Sequence, residues 1–237
     1  YISNYFGGNM GKRILIIEDD PDISNILRYI FKGEGFEVRH ALSGEDGIEI
    51  FHVFNPDVVL LDLMLPGING FQVCKQLAKY SAPVIMLTAR NDVVDKILGL
   101  ELGADDYMTK PFNIRECITR VNVALRRIEK VNTVESENVD YMKIGNIDVY
   151  KEARRVSVDN EEIKLKPKEL DLLFYLIENS NRALTREKIL DSVWGYDYFG
   201  DPRTVDVHIR RLRQKLKDNN SIETVFGTGY MLRTDKV

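Results

Sequence analysis

In the first half of the chain, polar residues close a series of apolar runs. Glu18 and Asp19 follow Ile14–Ile17, and Asp62 follows Val58–Leu61. Thr88 follows Val84–Leu87, and Lys110 comes just after a weaker run, Ala104–Met108. If these runs are parallel strands of one open sheet, groups at their carboxyl ends converge on one crevice. Three carboxylates there repel one another unless a cation intervenes, and that number of oxygen ligands suits Mg²⁺ with water and a phosphate. Lys110 and the Thr88 hydroxyl would then stabilise oxyanions on a phosphoryl group. The set fits an aspartate that accepts a phosphoryl group covalently. Taken singly, each element has a plainer explanation. Acidic residues after a strand favour the start of a helix, a lone Asp forms turns, and Lys110-Pro111 reads as a loop. Their joint occurrence at four strand ends points to a site.

The elements that must position these groups follow from hydrophobic spacing. Ile14–Ile17, Val58–Leu61 and Val84–Leu87 are continuous and rich in Ile, Val and Leu, as buried parallel strands are. Phe36–Arg39 and Ala104–Met108 are weaker strand candidates. Asp22–Lys32, Gly44–Phe54, Phe71–Lys79, Val93–Leu100 and Ile114–Ile128 show helical spacing. Five βα repeats imply an α/β, doubly wound, five-stranded parallel sheet of the flavodoxin-like kind. Glu129–Asp140 is polar and lacks an apolar stripe, so it reads as a linker. The chain therefore divides into a first domain, 11–129, a linker, 130–140, and a second domain, 141–235.

The second half reads as α+β. Ile144–Tyr150, Arg155–Asp159 and Glu162–Leu165 are strand candidates, followed by helical patterns at Lys168–Glu178, Arg186–Val193 and Thr204–Lys217. A terminal hairpin, Thr224–Phe226 and Tyr230–Leu232, turns through Gly227-Thr228-Gly229. Three helices closed by a hairpin suggest a winged helix-turn-helix. On a 100° wheel, Val205, Ile209, Leu212 and Leu216 form a narrow core stripe. Arg203, Val207, Arg210, Arg211, Gln214 and Lys217 point the other way, with His208 and Arg213 on the flanks. Such a face suits a major groove, because Arg and Gln read base edges and Val touches a thymine methyl, while flanking cations meet phosphates.

Composition narrows the classes. The 237 residues are 44% hydrophobic and 30% charged, which is ordinary for a globular protein and excludes a disordered chain or a coiled-coil rod. The longest apolar runs fall far short of a membrane span. Tyr1–Asn9 has neither a cationic region nor an apolar run, so it does not read as a signal peptide. The two cysteines, Cys74 and Cys117, cannot form a disulfide scaffold and read as reduced core thiols of a cytoplasmic protein. Net charge is −4, but its distribution is uneven. Residues 1–138 carry 15 Lys and Arg against 20 Asp and Glu; residues 139–237 carry 18 against 17. Arg203–Lys217 concentrates six cations around one anion, Asp206, which is the footprint of a nucleic-acid binder.

Ile14-Leu-Ile-Ile-Glu-Asp-Asp20, Leu61-Asp-Leu-Met-Leu-Pro66, Leu87-Thr-Ala-Arg90 and Gly103-Ala-Asp-Asp-Tyr-Met-Thr-Lys-Pro-Phe112 resemble the motifs of receiver domains of bacterial two-component systems. With the second half, the resemblance is to the OmpR/PhoB family of response regulators. It implies Asp62 as phosphoacceptor, with Glu18, Asp19, Asp62 and the Met64 carbonyl at Mg²⁺. It implies Lys110 as the phosphate partner, Thr88 and Tyr107 as a switch pair, and a cis Lys110-Pro111 peptide. It places Lys96, Asp105, Asp106, Glu116, Arg120 and Arg127 where intersubunit ion pairs of a phosphorylation-dependent dimer stand. It makes Arg203–Leu216 the recognition helix, with Arg203, Thr204, Val207, His208, Arg210, Arg211, Arg213 and Gln214 as DNA contacts. Trp194–Pro202 would be a loop able to meet RNA polymerase. The implied partners are a sensor histidine kinase, double-stranded DNA and a second copy of the chain.

Several positions depart from the family pattern. Asn122 replaces a basic residue of the dimer face. Lys166 stands where a Ser or Thr usually caps a helix, which would weaken the start of Lys168–Glu178. Phe226 stands where the wing usually offers an Arg. Met64 and Arg90 flank the phosphoryl position, and neither orients water well, which suggests slow self-dephosphorylation. One rival reading is a phosphatase with an aspartyl intermediate, which would want a general acid where Met64 stands. Another is a phosphorylation-independent DNA-binding regulator with a degenerate switch. His40 and His52 carry no pattern.

Overall fold

The computed structural model describes residues 11–89, 93–129, 141–195, 198, 201–217 and 221–234, with backbone alone at 93–97 and 126–129. The chain divides into two compact units between Leu125 and Arg126. In the first, β1 (Arg13–Ile17), β2 (Glu37–Ala41), β3 (Val58–Asp62), β4 (Val84–Thr88) and β5 (Asp106–Thr109) form one sheet. All its pairings are parallel and its order is β2-β1-β3-β4-β5. The helices α1 (Pro21–Gly33), α2 (Gly44–Phe54), α3 (Gly70–Leu77), α4 (Val93–Leu102) and α5 (Ile114–Glu129) alternate with the strands. This is the doubly wound sheet expected from the spacing. The order reverses direction between β1 and β3, the switch point at which such sheets bind ligands. The apolar runs are buried throughout: Ile14–Ile17 and Val58–Leu61 have no exposed surface.

Local chemistry fixes the helix starts beside that switch point. Asp20 caps α1 by accepting from the Asp22 and Ile23 N–H groups, and Pro21 supplies a helical φ at the first position. The third acid of Glu18-Asp19-Asp20 is thus structural. Ser43 caps α2, and Asn69 with Gln72 forms a reciprocal capping box on α3. Asp62 and Thr88 prove to be the last residues of their strands rather than the first beyond them.

The second unit opens with an antiparallel sheet, β6 (Tyr141–Ile144), β7 (Ile147–Tyr150), β8 (Arg155–Val158) and β9 (Glu161–Ile163), in sequential order. The single strand expected over Ile144–Tyr150 is instead half of a hairpin. Gly145, with φ 57°, turns the chain between β6 and β7. Then come α6 (Pro167–Glu178), β10 (Leu184–Thr185), α7 (Arg186–Trp194), α8 (Arg203–Leu216), β11 (Ile222–Val225) and β12 (Gly229–Leu232). The three-stranded sheet β10-β12-β11 makes the wing. Val205, Ile209, Leu212 and Leu216 of α8 are fully buried against α6, α7 and the wing, as the wheel predicts. The expected weak start of α6 is corrected. Lys166 cannot accept a hydrogen bond, but the Glu169 carboxylate reaches back to its N–H (2.8 Å), and Pro167 opens the helix. The expected linker, 130–140, lies outside the described residues.

Candidate functional site

The parallel register sets Ile17 beside Leu61 and Asp62 beside Leu87. Glu18, one residue beyond β1, and Asp62, at the end of β3, therefore face one another across the switch point. Glu18, Asp19 and Asp62 each offer a carboxylate oxygen within 4.8 Å of the others. Lys110 reaches in from just beyond β5, and the cis Lys110-Pro111 peptide expected of this loop follows it. Its Nζ donates to Glu18 Oε1 at 2.6 Å and to Asp62 Oδ2 at 2.7 Å. The other Asp62 oxygen accepts from the Met64 N–H (3.0 Å).

Burial governs the electrostatics. Glu18 has no exposed surface. Burial raises its carboxyl to about 7; the Lys110 hydrogen bond opposes this and the Asp62 charge adds to it. Burial alone would pull the Lys110 ammonium down, but its hydrogen bonds to Asp62 and Glu18 outweigh that and hold it above its ordinary value. Glu18 Oε2 is buried and has no hydrogen-bond partner among the described residues. An orphaned carboxylate oxygen beside two further carboxylates is a donor set that fits a hard divalent cation. Asp19 is exposed, so the crevice opens to water on that side.

The remaining expected site residues fall into three groups. Thr88 ends β4, next to β3, and is buried; Tyr107 lies on β5 with its ring buried at 7% exposure. Arg90 lies outside the described residues. On the α4–β5–α5 face, the side chains of Lys96 and Arg127 also lie outside them. Arg120 donates through Nη1 to both Asp106 oxygens (3.0 and 2.8 Å) and through Nη2 to Glu116 Oε1 (2.7 Å). These three, expected to pair between subunits, pair within one chain, because Glu116 lies one turn before Arg120 and β5 runs beside α5. Asp105 is corrected outright. It is 2% exposed and accepts from the Val84 N–H (2.9 Å), at the opposite end of the strands from the crevice.

On α8, Arg203, Arg210 and Gln214 are exposed and Arg211 is half-buried. Four expected contacts are buried or engaged elsewhere. His208 has no exposed surface; its Nδ1 meets the Thr204 carbonyl (2.9 Å) and its ring packs edge-on against Trp194 at 5.0 Å. Thr204, one turn earlier on the same flank, is buried with it. Val207 is 6% exposed, a short side chain among the longer helical neighbours Arg203, Arg210 and Arg211. Arg213 is engaged by the wing. Its Nε and Nη2 donate to the Ile222 carbonyl (3.1 and 2.6 Å), and Nη2 also donates to Thr224 Oγ1. Trp194, expected to open a loop, instead ends α7 and is buried in the core.

One group was not expected from sequence. Asp206 Oδ1 accepts from Arg186 Nε and from the Tyr230 hydroxyl, both at 2.7 Å. The guanidiniums of Arg186 (5.1 Å) and Arg213 (5.6 Å) both lie over the Tyr230 ring. The available signal was Asp206 itself, the lone anion of a basic helix. Phe226, at the turn of the wing, is 93% exposed.

Comparison with known proteins agrees with this geometry. The response regulator receiver domain matches residues 14–122, and the C-terminal domain of transcriptional regulatory proteins matches residues 160–232. The response regulator DrrB of Thermotoga maritima, described as an OmpR/PhoB homologue, is 31% identical over 94% of this chain and 100% of its own, with a TM-score of 0.48. A mutant of RitR is 26% identical over 94% and 99%, with a TM-score of 0.70. A protein described among redox sensors of the streptococci that evolved from two-component response regulators is 27% identical over 94% and 99%, with a TM-score of 0.47. A five-stranded parallel sheet with a lysine-bridged acidic crevice, followed by a winged helix, defines a response regulator with a DNA-binding domain that regulates transcription. The chain belongs to the OmpR/PhoB family of response regulators.

Proposed function

We propose that Asp62 accepts a phosphoryl group from the phosphohistidine of a sensor kinase, and that this modification dimerises the protein and drives it onto promoter DNA. The observation that carries the reading is the Lys110 ammonium bridging Asp62 and Glu18 beside an orphaned, buried Glu18 oxygen. An Asp62 carboxylate oxygen forms the new P–O bond as the P–N bond to the donor imidazole breaks, and the imidazole takes up a proton. Glu18, Asp19, Asp62 and the Met64 carbonyl would hold Mg²⁺, which when bound neutralises phosphoryl oxygens. Lys110 orients the same oxygens by charge-assisted hydrogen bonds. Thr88 and Tyr107 relay the change to the α4–β5–α5 face. Arg203, Arg210, Arg211 and Gln214 meet the DNA, and the segment between α7 and α8, part of which lies outside the described residues, would face RNA polymerase. The protein works in the cytoplasm as a regulator without turnover of its own; among the described residues no helix is long and apolar enough to cross a membrane.

Redox sensing by a free thiol is disfavoured. Cys74 and Cys117 are 0% and 1% exposed, and burial pushes the Cys117 thiol up to about 12. A degenerate switch is disfavoured by the complete acidic set. Acetyl phosphate with Mg²⁺ tests the proposal: mass spectrometry should find phosphoaspartate at Asp62 in the wild type and none in Asp62→Asn. A main product at another residue would reject it.

A further inference from the structure

The loop from β3 to α3, residues 63–69, carries the Met64 carbonyl, and its two ends are fixed internally. At the base, the Gly70 N–H donates to the Leu63 carbonyl (3.0 Å), and Gly70 sits so close to the Asp62 carbonyl that any side chain there would collide with it. At the far end, Asn69 and Gln72 cap α3. The stretch just before that cap is held from another element. Glu45, in the first turn of α2, accepts from the Ile68 N–H through Oε1 at 3.1 Å. Its carboxylate also lies against Gly67, where a Cβ would come within 2.7 Å of Oε1. Gly67 has φ 73°, a conformation that L side chains rarely adopt, so the backbone turns tightly under the carboxylate. Gly44, beside Glu45, packs on Ile68 so closely that a Cβ there would meet Ile68 Cγ1 at 2.6 Å.

The same junction holds the other acidic segment. The Glu18 N–H donates to the carbonyl of Ala41, the last residue of β2 (3.0 Å), and Ser43 then caps α2 two residues before Glu45. The segments bearing Glu18 and Met64 are therefore both referenced to residues 41–45. Glu45 is not a member of the carboxylate cluster.

We propose that Glu45 is a positioning residue for the cation site: by fixing Gly67 and Ile68 from α2, it sets the Met64 carbonyl relative to Glu18 and Asp62. The inference rests on the reading of the crevice as a Mg²⁺-dependent phosphoacceptor site. The test uses the full chain, with Mg²⁺ binding measured by calorimetry and phosphorylation by acetyl phosphate followed against Mg²⁺ concentration. Glu45→Ala removes the acceptor, Glu45→Asp shortens the side chain by one methylene and withdraws it, and Glu45→Gln keeps an Oε1 acceptor. Ala and Asp should weaken Mg²⁺ binding by about three- to tenfold, the change that one ordinary hydrogen bond represents. Gln should restore it. The Mg²⁺ needed for half-maximal phosphorylation should rise in step, with the maximal rate unchanged. Wild-type Mg²⁺ affinity in both Ala and Asp would overturn the proposal, as would a Gln variant as weak as Ala. A wild-type protein that binds no Mg²⁺ would instead overturn the reading of the crevice, before any variant is compared.

Discussion

Lys110 and Arg120 are both basic residues holding two carboxylates, yet their surroundings assign them different work. Lys110 sits at the mouth of a crevice beside an orphaned oxygen, so its bonds can be remade around an incoming group. Arg120 is 8% exposed and satisfies Asp106, itself 6% exposed, with a two-pronged contact. Removing one partner of a buried pair leaves an uncompensated charge, so Arg120→Ala should destabilise the first unit by about 3–5 kcal/mol in urea unfolding. Loss of dimerisation in that variant alone would therefore not identify an interface residue. Tyr230 yields a pH prediction. Burial, reinforced by its hydrogen bond to Asp206, raises its phenol from the ordinary 10.0 to about 12. A group whose folded value is raised stabilises the fold fully below the unfolded value and loses that contribution as pH climbs to the folded one. Stability of the wing unit should thus fall between pH 10 and 12, and Tyr230→Phe should flatten that fall. An equal slope in the variant would show that Tyr230 does not titrate in this window. Asp62, Glu18, Asp19 and Lys110 were legible in the sequence because strand ends of a parallel sheet must converge. The Arg120 pairing was not, because the same spacing serves contacts within a chain and between chains.

At the scale of elements, α8 and the wing must be taken together. The wheel gives the angle of each side chain about the α8 axis, which is why the stripe Val205, Ile209, Leu212 and Leu216 was legible. It carries no information about which neighbour lies over a flank, so the cover that Trp194 gives His208 was not. The β6–β7 hairpin is not legible in the sequence for a similar reason: apolar residues continue on both sides of Gly145-Asn146, and only the backbone turn separates the strands. Phe226 projects from a hairpin tied to α8 by Arg213. An Arg at its place would gain from the negative potential of a narrow groove; Phe brings no charge. Phe226→Arg should raise DNA affinity and steepen the log–log salt dependence by about one unit, measured by titration at several salt concentrations. An unchanged slope would mean that residue 226 does not approach the DNA.

At the scale of the whole molecule, two units with separate cores must act as one switch. Under the proposed function dimerisation would offer the coupling, since joining two modest DNA contacts converts the second into an intramolecular event worth about 10²–10⁴ in avidity. In the Asp62 experiment, acetyl phosphate should therefore raise the sedimentation coefficient of the wild type and its affinity for two-half-site DNA selected from random sequence. Its affinity for a single half-site should hardly change, and Asp62→Asn should show neither effect. Equal gains on one and two half-sites would point to a change within one winged helix instead.

The contacts of Tyr230 with Arg186 and Arg213, and of its hydroxyl with Asp206, make the wing and α8 a single caliper. A caliper of fixed opening measures rotational phase as well as chemistry, because each base pair turns the duplex by about 34°. If α8 reads bases and the wing touches a flank, as proposed, inserting one base pair between the two would carry that flank around the helix axis. Such a protein would tolerate a changed base more readily than a changed count of bases.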